Sequence, residues 1–198
     1  MKAVHSAACI VACAAMALAA GCASPPSRFY TLSGATANAT ATTGPTIAVG
    51  LVSIPAVVDR PEIVVTISDN EVWLDEFNRW ASPLADGISV AVVENLSAIL
   101  ATPRVALLTQ TTAFDVDFRV AIEVQRFESI PGSSALVDAV WNVRRVKDGV
   151  SATGRATVRE NVADRGYDAL AAAHSRAVAR LSQDVADAIR RLASSPAR

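Results

Sequence analysis

The apolar positions of this chain change period several times, and each change marks an element. Residues 7–20 form one uncharged apolar run, too short to span a bilayer. Residues 33–46 are the reverse, a Ser/Thr/Ala/Gly stretch with no large side chain to bury, which predicts a flexible connector. Between them, Phe29, Tyr30 and Leu32 make a small apolar island that either adds a short strand to the domain behind it or is filler ahead of it. Residues 47–54 and 62–67 are rich in β-branched side chains. They are separated by 55–61, which carries proline at both ends, so two strands joined by a structured turn are expected. Ser68-Asp69-Asn70 suits a tight turn into 71–74, completing a hairpin.

The period then switches. Ser82 is placed to cap a helix opening at Pro83, where the missing amide proton costs nothing, and Asp86 favours its positive end. Leu84, Ile88, Val92, Leu96 and Ile99 recur at helical spacing until Pro103 stops the run. Residues 105–108 read as a short buried strand. Val116, Phe118, Val120, Ile122 and Val124 then alternate with Asp117, Arg119, Glu123 and Gln125, the mark of a half-buried antiparallel strand. Residues 136–146 continue the sheet, and Lys147-Asp148-Gly149 turns it into 150–158, with Thr153, Arg155, Thr157 and Arg159 outward. A closing helix over 167–192 carries Leu170, Ala177, Val178, Leu181, Val185, Ile189 and Leu192 on one stripe. The expected fold is an α+β two-layer sandwich. Its mostly antiparallel, mixed sheet has two helices packed on one face and the other face polar. The domain is expected over 47–193, with 194–198 a disordered tail.

Composition adds an address. Lys2, the apolar run and Ala19-Ala20-Gly21 before Cys22 have the layout of a secretory signal over 1–21. Cys9 and Cys13 lie inside it, so Cys22 has no mature partner and reads as a lipidated cysteine, with 22–46 as anchor and connector. The leucine usual three before such a cysteine sits one position further out, at Leu18. The competing reading is an ordinary secreted protein with an incidental cysteine. Cleavage leaves 177 of 198 residues, enough to bury a core without disulfides, and none can form within the mature chain.

Removing Lys2 leaves 17 basic against 19 acidic residues, a balance of −2 that argues against nucleic acid as a partner. No basic run is long enough to draw the chain onto anionic headgroups, so membrane attachment falls to Cys22. Three acyl chains, at roughly 0.8 kcal/mol per buried CH₂, hold a protein essentially permanently. Ala23, rather than aspartate, follows the cysteine, which resembles the pattern of lipoproteins released to the outer membrane. The domain is thus expected to be anchored there and to face the periplasm.

The mature chain is poorly equipped for catalysis, and no metal or cofactor is expected. Its single histidine, His174, stands on the apolar stripe of the last helix and reads as packed or interfacial. No serine sits in a Gly-x-Ser-x-Gly turn, and no Gly-rich loop is built to cradle phosphate. Asp115 with Asp117, or Glu71 with Asp75, offers paired carboxylates, but the first pair falls on the outward side of a strand and reads as surface. Two clusters rise above background. Asp59-Arg60-Pro61-Glu62 sets opposite charges around a proline-fixed corner, and Arg79-Trp80-Ala81-Ser82-Pro83-Leu84 sets an aromatic just ahead of a helix start. Structurally, Arg60 would pair with Asp59 and Trp80 would staple helix to sheet. Functionally, the clusters would form a contact surface for another protein.

With Cys22 and Tyr30-Thr31-Leu32, these clusters make the chain resemble the PqiC-like ABC-type transport auxiliary lipoproteins. The residues carrying the likeness are Cys22, Tyr30, Leu32, Asp59, Arg60, Pro61, Trp80, Pro83 and Leu84, in the family's order. Ala173-His174-Ser175-Arg176, leading into Leu181, is similar too. Glu62 departs from an expected glutamine, and Ser82 from a common acidic residue. The resemblance implies a non-enzymatic periplasmic subunit. Its implied partners are an MCE-domain protein and an ABC transporter that move lipids or other hydrophobic compounds between the inner and outer membranes and support envelope integrity. It also implies a homo-oligomer, since some members assemble as rings around the partner's channel. On this reading the 33–46 connector sets the domain's reach from its anchor, at most about 45–50 Å. Two other readings stand beside it: an adaptor or activator of a cell-wall synthase or other envelope complex, and a secreted hydrolase using carboxylates.

Overall fold

In a computed structural model, which describes residues 25–35, 44–108 and 115–196, the alternating segment after Val116 becomes the long strand β6 (Phe118–Ile130). It pairs antiparallel with β7 (Ser134–Arg145), which in turn pairs with β8 (Ser151–Asn161). Gly149, at φ +75°, makes the turn into β8 that the sequence placed there. On the other side of β6 lie two short parallel strands, β2 (Ile47–Val49) and β5 (Val105–Leu107), giving the order β5-β2-β6-β7-β8. The alternation of β6 is interrupted once. A bulge between Val124 and Arg126 resets the phase, so Phe127 and Ser129 join Val120, Ile122 and Val124 on the inner face.

The architecture is α+β, as expected, but its strands form two mixed sheets. The stretch 47–54 is regular only as far as Val49, then follows β6 irregularly to a bridge between Ser53 and Glu123. Residues 55–61 turn the chain away, with the Val58 N–H donating to the Pro55 carbonyl and the Arg60 N–H to the Val58 carbonyl. The following hairpin, β3 (Glu62–Ser68) and β4 (Glu71–Trp80), therefore builds a second sheet of order β1-β4-β3. Its third strand, β1 (Arg28–Tyr30), is the apolar island, paired parallel with β4.

Helix α1 (Leu84–Ile99) buries Leu84, Ile88, Val92 and Leu96, and α2 (Tyr167–Ser194) buries the full predicted stripe. The helices pack on one another, and α2 lies across the inner faces of β7 and β8. There Ala135, Val137, Ala139 and Val143 are at most 1% exposed, so small residues on the strands let the helix approach closely. The outward residues of β6 and β8 are mostly polar, as the alternation required, while β7 between them adds Leu136 and Val140 to that face. One capping expectation fails. Pro83 itself is the N-cap of α1, no side chain caps the helix, and Ser82 stays exposed on the surface.

The connector also needs correction. Since β1 is part of the domain, both ends of 33–46 lie within it, and the segment joins β1 to β2 rather than anchor to domain. Ser33, Gly34 and Ala35 are docked, their N–H groups donating to Ser175 Oγ, Glu94 Oε2 and Asn95 Oδ1. At the other terminus the ordered chain passes Ala193. Buried Arg145 donates to the carbonyls of Leu192, Ser195 and Pro196 and pairs with Asp148, so the last turn of α2 and the two residues after it are held. Cys22 and the signal lie outside the described residues.

Candidate functional site

Three separate segments meet because of two backbone bonds. The Trp80 N–H donates to the Pro61 carbonyl and the Ala81 N–H to the Tyr30 carbonyl, each at 2.8 Å. The end of β4 is thereby clamped between the proline corner and the N-terminal strand. The result is a groove of about 340 Å³ lined by Asp59, Arg60, Pro61, Trp80, Ala81, Ser82 and Pro83. Both clusters singled out in the sequence, sixteen or more residues apart along the chain, thus line one concave surface. Leu84 lies just behind it, buried at the start of α1, while Tyr30 and Leu32 pack half-buried against the core.

The charges in this groove are not arranged as expected. No ion pair joins Arg60 to Asp59 among the described residues: Asp59 stays in solvent while Arg60 folds half-buried into the groove, where its Nε has no hydrogen-bond partner. Glu62 instead takes Arg79, at 2.7 Å. Its backbone N–H, then Arg79 and Arg60, outweigh partial burial and hold the Glu62 carboxyl below the usual range. A cationic side chain with an unmet donor, beside an exposed aspartate and a proline rim, suits a polar partner segment better than a small apolar ligand.

Behind the groove Trp80 packs between β6 and α2, the last helix. Trp80 is 6% exposed and meets Phe127 and His174 edge-on, at 6.2 and 6.4 Å between ring centroids. His174, fully buried, shares a 2.8 Å hydrogen bond between its Nε2 and the equally buried Ser129 hydroxyl. Burial pushes the imidazole down to about 3, so it is neutral at physiological pH, and a neutral ring is what an apolar stack accommodates. The Ser129–His174 pair is sealed in the core and cannot meet a substrate.

A second cluster was not legible. Between β4 and α2, the Tyr30 hydroxyl donates to Asn78 Oδ1 and the Tyr167 hydroxyl to Asp75 Oδ2, with the two rings 6.0 Å apart. The other oxygen of Asp75 accepts the N–H groups of Phe77 and Asn78, fixing a bulge in β4. Burial opposes ionisation of Asp75, but the bonds from Tyr167, Asn78 and the backbone outweigh it and lower its pKa. Burial and the Asp75 carboxylate push Tyr167 up. This network locks the N-terminal strand to the last helix. An aspartate two residues ahead of Phe77-Asn78 is the only sequence hint of it.

Of the two carboxylate pairs, Glu71 and Asp75 take different roles. Asp75 is committed to Tyr167, whereas Glu71 is exposed at the hairpin turn. Asp117 accepts the Thr46 N–H, and Asp115 sits on an exposed turn at φ +60°. Both border a larger, shallow cleft of about 630 Å³ where β6 begins and β7 ends. Among the described residues, no cluster of three or more His, Cys, Asp or Glu side chains is placed to hold a metal, and no helix is long and apolar enough to cross a membrane.

The comparisons agree with this geometry. Two solved structures share the fold. One is an uncharacterized protein, 20% identical with a TM-score of 0.69, covering 83% of this chain and 99% of its own. The other is protein XCC0632 from Xanthomonas campestris, 21% identical with a TM-score of 0.66, covering 85% and 100%. No curated protein matches the chain. The family model for the ABC-type transport auxiliary lipoprotein component matches residues 30–186, a span that opens on Tyr30 and takes in the whole groove. The chain belongs to the ABC-type transport auxiliary lipoprotein components.

Proposed function

We propose that this chain is a non-enzymatic periplasmic subunit, anchored in the outer membrane through lipid on Cys22. In this reading it serves an ABC transporter and its MCE-domain protein in moving lipids or other hydrophobic compounds between the membranes, and so supports envelope integrity. One observation carries the reading. The residues that bear the family likeness, Asp59 to Pro61 and Trp80 to Pro83, line one groove whose floor is rigidly packed and whose rim is polar and exposed. A transport auxiliary works by holding a partner, and this is a preorganised surface for doing so.

The position of β1 shapes the proposal. Five residues lie between Cys22 and Arg28, a span of at most about 22 Å. The domain is therefore held close under the membrane, and the partner must reach it there. The subunit acts as a homo-oligomer, several copies offering their grooves to one partner.

The test is a crosslinked pulldown of the full-length chain from native envelopes, read by mass spectrometry, with Cys22→Ala as control. Recovery of an MCE-domain protein by the anchored form and its loss with Cys22→Ala support the proposal. Recovery of cell-wall synthases without any MCE-domain protein would move the chain to the adaptor class.

A further inference from the structure

The β3–β4 hairpin carries more apolar surface than a solvent-facing element needs. Trp73 is 62% exposed and Ile67 58%, with Val72 at 48%. Between Ile63 and Asn78 the hairpin holds four carboxylates, Asp69, Glu71, Asp75 and Glu76, and no lysine or arginine. By strand alternation Glu71 and Trp73 share one face at the exposed end of the hairpin, while Asp75, next along that face, is held by Tyr167 and by the backbone of Phe77 and Asn78.

The same chain presents the complement. The register of β6, β7 and β8 gathers five arginines on the outer face of the main sheet, against the three carboxylates of Glu123, Glu128 and Asp138. Arg126 and Arg155 each spend two bonds on one carboxylate, Glu128 and Asp138 respectively, yet their side chains stay more than half exposed, at 53% and 56%. Arg159, bonded to Ser134, is exposed as well. Guanidinium planes are good partners for a tryptophan face, and an arginine surplus matches an acidic hairpin. A bilayer fits worse, because Asp69 and Glu71 at the turn would have to enter it first.

We infer that the exposed Glu71–Trp73 end of the hairpin docks on the arginine-lined outer sheet face of a second copy of this chain. The two surfaces differ, so the contact is head-to-tail, and such contacts propagate until a rotation closes them into a ring. The inference rests on the homo-oligomer reading above and names the surfaces that build it.

Complementation tests it. Mature chain carrying Cys22→Ser is prepared in three forms: otherwise unchanged, with Trp73→Ser, and with Arg126→Glu plus Arg159→Glu. Mass is measured by sedimentation equilibrium, and folding by circular dichroism. The unchanged chain should associate, more weakly at high salt. Each variant alone should be folded and lose affinity by about ten-fold or more. Mixing the two variants should restore a 1:1 dimer and nothing larger, because only one intact hairpin and one intact sheet face remain. An oligomer indifferent to both variants, or variants that do not pair on mixing, would overturn the assignment of surfaces while leaving assembly standing. A monomer at every concentration would overturn the assembly reading itself. A monomer that floats with phosphatidylethanolamine–phosphatidylglycerol vesicles only when Trp73 is present would give the hairpin to the bilayer.

Discussion

The imidazole of His174 lies flat on the ring of Phe127, with centroids 3.9 Å apart and planes within 9° of parallel. Phe127 reaches that position only because the bulge before Arg126 resets the phase of β6, and His174 only because it occupies the stripe of α2 that faces the sheet. Trp80 closes the stack from the groove side. The floor of the groove is thus set by residues from β4, β6 and α2, so core packing shapes the candidate docking surface.

The stack makes stability depend on pH. His174 has its folded pKa pushed to about 3 by burial, below the ordinary value of 6.5. As pH falls below about 6.5 the unfolded chain takes up a proton that the folded chain refuses, so stability declines between the two values, by at most about 1.4 kcal/mol per pH unit. His174→Phe removes the titration. Urea midpoints measured at pH 7.5 and pH 5 should fall less between the two conditions in the variant than in the parent, although the variant is less stable at pH 7.5 because Ser129 loses its partner. Equal falls would show that another group carries the acid sensitivity.

Two tryptophans should behave oppositely. Trp80→Ala removes a buried ring and opens a cavity behind the groove, a loss of about 3–5 kcal/mol. Trp73→Ala, on the exposed hairpin, should change unfolding of the dilute chain by no more than about 0.5 kcal/mol. Chemical denaturation of both variants at low protein concentration checks the contrast. Similar losses would mean that Trp73 is packed within its own domain.

Gly154 is held as glycine by its neighbour. It stands opposite Trp141 in the β7–β8 ladder, and a Cβ there would overlap the indole ring. Gly154→Ala should therefore lower the melting temperature by the equivalent of about 1–3 kcal/mol, although alanine is the better strand former in general. Adding Trp141→Leu should recover part of that loss. A single Gly154→Ala variant as stable as the parent would mean the tryptophan moves aside freely.

What could be read in the sequence was what depends on neighbours. The alternation at 116–124 found β6, the spacing of Leu84 to Leu96 found α1, and the stripe from Leu170 to Leu192 found α2, because burial on one face leaves a period. The two clusters of the groove were also visible, each as an odd local composition. That they share a groove was not, since the bonds from Trp80 to Pro61 and from Ala81 to Tyr30 join residues far apart in the chain. The second half of β4 was hidden for another reason: its Asp75-Glu76-Phe77-Asn78 run is a bulge fixed by a side chain, with no strand period to find. The parallel strand β1 was only one of two readings, and without it the segment after Leu32 looked like the tether.

The most direct measurement is the affinity of the purified mature domain for the periplasmic region of the proposed MCE-domain partner, comparing Asp59→Arg and Arg60→Glu with the parent. Both positions line the groove, away from the core stack. If the groove is the docking surface, each variant should retain the parent's circular dichroism and bind at least about ten-fold more weakly. Unchanged affinity in both folded variants would contradict it.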